Sequence, residues 1–130
     1  MTTCRVPPNC VFEIDDLESD WLYRQPFDFI YGRELAGCIA DVDRLFQQAF
    51  AHLSSGGYIE MQAVDVEFLS DDGTAHLATN AQFWVKSMLE GARKFGKPLD
   101  GISQWKEKLE NAGFVDVQQE VKKVGFFFIK

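Results

Sequence analysis

The chain has 130 residues and a formal net charge of −7, enough for one buried core but short for a complete doubly wound fold. Its 46% apolar content and twelve Phe exclude a disordered chain. The acidic balance leaves no basic stripe for phosphates, which argues against a nucleic-acid partner and against an anionic membrane surface.

Residues Met1 to Asn9 read as an entry segment that Pro7-Pro8 would hold extended. It has no positive stretch followed by an apolar core, and no apolar run in the chain approaches ~18 residues. Neither a signal peptide nor a membrane span is therefore expected. Cys4, Cys10 and Cys38 are odd in number and lack CxxC spacing, so reduced thiols in a cytoplasmic protein are expected, with no metal site. Cys10 to Ile14 has the composition of a strand, and the acidic cluster Asp15, Asp16, Glu18 and Asp20 follows, then Trp21-Leu22-Tyr23.

Phe27, Phe29 and Ile30 make a short apolar run interrupted only by Asp28, which suits a strand buried on both faces of a parallel sheet. Val42, Leu45, Phe46, Ala49, Phe50 and Leu53 recur at helical spacing, with Asp43, Arg44, Gln47 and Gln48 toward water. Ser54-Ser55-Gly56-Gly57 is expected to end this helix through a left-handed glycine, and Tyr58 to Met61 to restart an extended run. Strand, helix and parallel strand make one right-handed α/β unit. Asp72-Gly73 marks a turn in a loop above the sheet.

A helix capped by Thr79 or Asn80 carries Phe83, Trp84, Met88, Leu89 and Ala92 on its apolar face. A shorter one carries Ile102, Trp105, Leu109 and Ala112 and stops at Gly113. Val115, Val117, Gln119 and Val121 then alternate as a half-covered strand would, and Phe126 to Ile129 form a last, adhesive strand candidate.

The pattern FDFIYGREL, an acidic residue opening an amphipathic helix, and then LSSGGYIEMQ resembles the middle of class I (Rossmann-like) SAM-dependent methyltransferases. The branch it most resembles is that of fungal secondary-metabolite methyltransferases and related regulators, and Leu109 to Val117 matches a recurrent phrase of that family. The resemblance implies that Cys10 to Asp16 is the third strand of the sheet, with Asp15 or Asp16 at a remnant adenine position. It makes Phe27 to Tyr31 the fourth strand, Tyr58 to Gln62 the fifth and Phe114 to Val124 the sixth.

The first two strands and the glycine-rich G-x-G turn that holds SAM in such enzymes have no counterpart here, so no cofactor is expected. The expected fold class is α/β: a partial Rossmann-like methyltransferase sheet, from the third strand to the last, with flanking helices. Residues 1–130 would be a single truncated methyltransferase-like domain. In such folds the first strand is central, so its loss leaves the fourth with an unpaired edge. An exposed apolar edge invites pairing, and a homodimer is the expected repair.

Ligands of open α/β sheets bind at the carboxyl ends of the strands. Tyr31, Arg33 and Glu34 follow the fourth strand: Arg33 would clamp a carboxylate or enolate and Tyr31 would donate a proton, with a structural Arg33 ion pair equally open. Gln62 and Asp65 end the fifth strand on the same side and would orient a polar group. His76 is the acid or base candidate of the loop above, His52 a favourable charge at a helix end, and Trp21 and Trp84 are candidate walls of an apolar pocket. Against each stands a plainer role, a solvated acidic loop for Asp15 and Asp16 and core packing for the aromatics.

The favoured expectation is a methyltransferase-like protein that has lost SAM binding and acts as a cofactor-independent cyclase or isomerase on an apolar natural-product intermediate. The alternatives are a non-catalytic half that completes or regulates a partner chain, and a SAM-dependent methyltransferase rebuilt as an oligomer.

Overall fold

In the computed structural model, residues 7–124 are described, and two strands, β1 (Phe27–Arg33) and β2 (Leu53–Gln62), pair in parallel through the helix α1 (Val42–Ala51). A 3-10 turn (Thr74–Leu77), helix α2 (Thr79–Phe95), a second 3-10 turn (Ile102–Gln104) and helix α3 (Trp105–Ala112) follow. This is the α/β architecture of a partial Rossmann-like sheet with flanking helices.

The periodicity of α1 sets the core. Leu45, Phe46 and Ala49 are buried on its inner stripe, and Leu45 and Phe46 cluster with Ile39 and with Trp105 and Leu109 of α3. Ile59 and Met61 of β2 pack against this cluster, and Gly32 of β1 is buried because the Met61 sulfur lies where a Cβ would be, 2.8 Å away. The same pleat sends Phe29, Tyr31 and Arg33 of β1, and Tyr58, Glu60 and Gln62 of β2, to the opposite face, where all six are exposed. The expected burial of β1 on both faces is therefore corrected: among the described residues only one face of the pair is covered, since no helix lies on the other.

The glycines of the α1 to β2 connection do a different job from the one expected. α1 ends with His52 as its C-cap at φ −105°, and β2 begins at once with Leu53 opposite Phe27. The next pair in register is Phe29 with Tyr58, so residues 54–57 form an irregularity within the strand. Gly56 takes φ +82° there, and a Cβ on Gly57 would sit 3.1 Å from the Asp28 carbonyl oxygen.

Two expected strands are absent from the described residues. Cys10 to Asp16 makes no ladder, and Val11, Phe12 and Ile14 are exposed; Phe114 to Val124 makes none either, with Asp116 at φ +55°. A strand exists only through hydrogen bonds to a neighbour, and neither segment lies beside a strand that accepts it. The strand candidate Phe126 to Ile129 lies outside the described residues. In α2 the inward stripe is Ala81, Val85, Met88, Leu89 and Ala92, while Phe83 and Trp84, expected on the apolar face, are exposed. α3 follows expectation, with Trp105 and Leu109 buried and Gly113 closing it at φ +111°.

Candidate functional site

The carboxyl ends of β1 and β2 lie side by side because parallel pairing puts Arg33 opposite Gln62. Glu34 then turns the chain away at φ 55°, a conformation that costs energy for a residue with a Cβ, and its amide donates to the Gln62 carbonyl at 2.9 Å. On the open face, the Tyr31 hydroxyl donates to Gln62 Oε1 at 2.8 Å, and Gln62 Nε2 donates to Glu60 Oε1 at 2.7 Å. This relay leaves the Tyr31 oxygen free to accept. Arg33 is exposed and has no ion pair among the described residues, so the structural pair left open for it does not form.

Beside these strand ends a cleft of about 550 Å³ opens at the start of α1, between the residues after β2 and the turn before α3. Its walls carry Asp41, Asp43, Asp65, Asp100 and Lys108, with Trp105 behind them. Most of these charges are committed. Asp41 caps α1 by accepting the Arg44 amide at 2.9 Å, Asp43 pairs with Lys108, and Asp100 pairs with Arg93, which lowers the Asp100 carboxyl below its ordinary range. Asp65 alone of the four carboxylates has no hydrogen bond or ion pair among the described residues. It is the cleft's uncommitted acceptor.

The structure thus brings Tyr31, Arg33, Glu34 and Gln62 together at the strand ends and puts Asp65 in the adjoining cleft. It does not bring the other candidates there. His76 is exposed in the first 3-10 turn, its Nδ1 on the Gly73 carbonyl at 2.9 Å. Trp84 is exposed on α2 beside the Phe68 ring. Trp21 walls a separate apolar hollow of about 190 Å³ with Leu17, Tyr23, Phe27, Phe29 and Ile30. Asp15 and Asp16 shape a local turn, in which Asp15 Oδ1 accepts the Asp16 amide at 2.8 Å and Asp16 Oδ1 accepts the Glu18 amide at 3.0 Å.

Glu18 is the residue whose role the sequence concealed. Its carboxylate accepts the amides of Ala40 at 2.7 Å and Asp41 at 3.2 Å, and pairs with Lys97 at 2.8 Å. The Lys97 ammonium first, then those amides, hold its pKa down from 4.5 to about 2. Within the acidic cluster this residue is thus a fastening and no solvated charge. Asp100, Ser103, Gln104 and Lys108 of the cleft also went unsuspected, because a loop and a helix far apart in sequence bring them to the start of α1. No local spacing signals such a meeting.

The sequence has no G-x-G turn to admit the methionine part, and the cleft's carboxylates apart from Asp65 are already engaged. Among the described residues no helix is long and apolar enough to cross a membrane.

A family model described as a methyltransferase domain matches residues 3–119. The chain is 35% identical over 108 residues to methyltransferase pytC of Aspergillus terreus, covering 83% of this chain and 33% of that protein. It is 33% identical over 104 residues to the probable methyltransferase tdiE of Emericella nidulans, covering 80% and 32%. It is 29% identical over 125 residues to the secondary metabolism regulator LAE1 of Cochliobolus heterostrophus, covering 94% and 41%. The chain spans about a third of the length of the first two relatives. No solved structure matches it.

Proposed function

We propose that this chain, which belongs to the methyltransferase-domain family, is the acceptor-side portion of a methyltransferase acting on an apolar secondary metabolite. The observation that carries the reading is the free edge of β1. Among the described residues β1 bonds to β2 alone, and the preceding apolar residues Val11, Phe12 and Ile14 lie open to solvent. Further strands added at that edge would complete the sheet and supply the cofactor-binding turn that the described residues lack. They would come from other residues of a longer protein or from a second chain, with a homodimer as the simplest case.

In this reading the open strand ends receive the acceptor. Arg33 offers an unpaired guanidinium to a carboxylate or enolate, and the Tyr31 oxygen, its proton directed to Gln62, accepts a hydrogen bond from the substrate. Asp65 stands ready to take a proton or to face a cationic group. The names of the relatives, methyltransferases and a regulator of secondary metabolism, support methyl transfer and a place in secondary metabolism.

A second reading, cofactor-independent cyclisation or isomerisation, is favoured by the free Arg33 guanidinium standing two residues from Tyr31 on one face of β1. There Arg33 would stabilise developing enolate charge, with no cofactor required. Titration calorimetry with S-adenosylhomocysteine, with the mass measured by light scattering on the same sample, separates these readings. Methyl transfer expects no micromolar binding by a single chain and binding once the mass doubles or the completing strands are supplied. Absence of binding in every assembly would leave the cofactor-independent reading, and Arg33→Ala with Tyr31→Phe leaving turnover intact would sink both site assignments.

A further inference from the structure

β1 turns alternate amides and carbonyls to each of its two edges, and among the described residues only the edge toward β2 is paired. The apolar hollow of about 190 Å³ takes Phe27, Phe29 and Ile30 from β1 and nothing from β2, which places it on the unpaired side. Leu17, Trp21 and Tyr23 of the preceding segment complete its wall. An unpaired edge beside an unfilled apolar hollow suits an extended segment that brings backbone groups and a large apolar side chain together.

The chain itself carries such a segment. Val11, Phe12 and Ile14 are exposed, Phe12 at 80%, in a run of strand composition that forms no ladder among the described residues. In its own chain this run is led away from β1. Asp15 Oδ1 accepts the Asp16 amide at 2.8 Å and the Asp16 carbonyl accepts the Ser19 amide at 3.0 Å, so the backbone turns directly after Ile14. Leu17 already stands in the wall of the hollow, and Phe12 of the same chain would have to double back past it. A second copy meets no such constraint.

One register matches the two runs. On β1, Ile30 and Gly32 lie on the core side, and Phe29, Tyr31 and Arg33 on the open face. Parallel pairing with Phe12 beside Ile30 puts Phe12 and Ile14 on the core side. Val11, Glu13 and Asp15 then lie on the open face, beside Phe29, Tyr31 and Arg33 in turn. Phe12 enters the hollow, and the Asp15 carboxylate meets the Arg33 guanidinium, which has no ion pair among the described residues. A slip of one residue in either direction turns Glu13 to the core side. The antiparallel sense lays Glu13 and Asp15 beside Phe29 and Phe27 and leaves Arg33 unmatched.

We propose that two copies of this chain exchange residues 10–15. Each run adds as a parallel strand to the free edge of the other copy's β1, with Phe12 in the hollow and Asp15 paired with Arg33. Because the exchange is reciprocal, a two-fold assembly closes both edges. The inference rests on the free edge that carries the proposed function and names the segment that occupies it. In the dimer Arg33 is held by Asp15 of the second copy and not by an acceptor.

Charge exchange at that pair, read as mass in solution by sedimentation velocity, tests the assembly. Arg33→Glu and Asp15→Arg each set like charges against each other at both contacts of a homodimer. Their equimolar mixture restores opposite charges at both contacts. Phe12, Asp15 and Arg33 are exposed, so the fold of the single chain does not depend on them. The wild type is expected to dimerise, each charge variant to do so at least about tenfold more weakly, and the mixture to recover the wild-type affinity. Phe12→Ala should raise the wild-type dissociation constant at least about tenfold, since the ring loses its burial in both hollows. A wild type that stays monomeric at about 1 mM, charge variants that dimerise as it does, or a mixture no tighter than its components overturns the exchange. Methyl transfer is judged separately by binding of S-adenosylhomocysteine: its absence with the dimer intact fails that reading and leaves the exchange standing.

Discussion

Phe46 is fully buried at the meeting of α1 and α3, its ring edge-on to Trp105 with centroids 5.9 Å apart. Replacing it with alanine removes a ring that no solvent can replace and leaves a cavity between two helices. Phe→Ala changes at such sites cost about 3 to 5 kcal/mol. Domain stabilities are about 5 to 15 kcal/mol, so this single change removes a large share of the total. Urea unfolding followed by far-ultraviolet circular dichroism measures it. With a slope of about 1 to 3 kcal/mol per molar, the midpoint should fall by at least about 1 M. Phe46→Leu keeps most of the volume and should cost less than about 1.5 kcal/mol, which preserves a measurable transition if the alanine variant fails to fold. Phe83→Ala is the control: Phe83 is 72% exposed, so its loss should stay within about 0.5 kcal/mol. Equal midpoint shifts for Phe46→Ala and Phe83→Ala would refute the position of the core.

Two further predictions concern the fastenings around that core. Because the Glu18 pKa is lowered on folding from 4.5 to about 2, its contribution is complete above about 4.5 and is lost as the pH falls toward about 2. The difference in melting temperature between wild type and Glu18→Gln should therefore be widest above that range and close on acidification; a pH-independent gap would contradict the fastening. Gly113→Ala should lower the urea midpoint by an amount equivalent to about 1 to 2 kcal/mol, since φ is +111° and the new Cβ would lie 2.9 Å from the Phe50 ring. A neutral result would remove the stop assigned to α3.

The helices were legible from local pattern. The spacing of Val42, Leu45, Phe46 and Ala49 predicts α1 and its buried stripe, and Trp105 with Leu109 before Gly113 predicts α3, because a helix satisfies its backbone within its own span. The parallel pairing of Phe27 to Tyr31 with Tyr58 to Gln62 was legible because a strand, a crossover helix and a strand are contiguous in sequence, though both strands run longer than expected.

What failed were inferences that needed a neighbour outside the strand, helix and strand unit. Cys10 to Ile14 and Phe114 to Val121 have strand composition, but a strand is decided by a partner, and no ladder forms on them among the described residues. Of the site, the grouping of Tyr31, Arg33, Glu34 and Gln62 followed from the rule that parallel strands end together, whereas His76 and Trp84 depended on how a loop and a helix fold back, which no spacing encodes. Arg44 and Gln48 make the same point: the helical pattern sends them outward, and only the tertiary structure decides that outward means Glu18, Asp20 and Trp21. The sequence by itself determined the helices and one strand pair, since their hydrogen bonds are local or joined by a short crossover. The open sheet face, the cleft at the start of α1 and the bonds of Glu18, Asp20 and Trp21 to Arg44 and Gln48 were decided by contacts between residues far apart in the chain, whose energies no local pattern records.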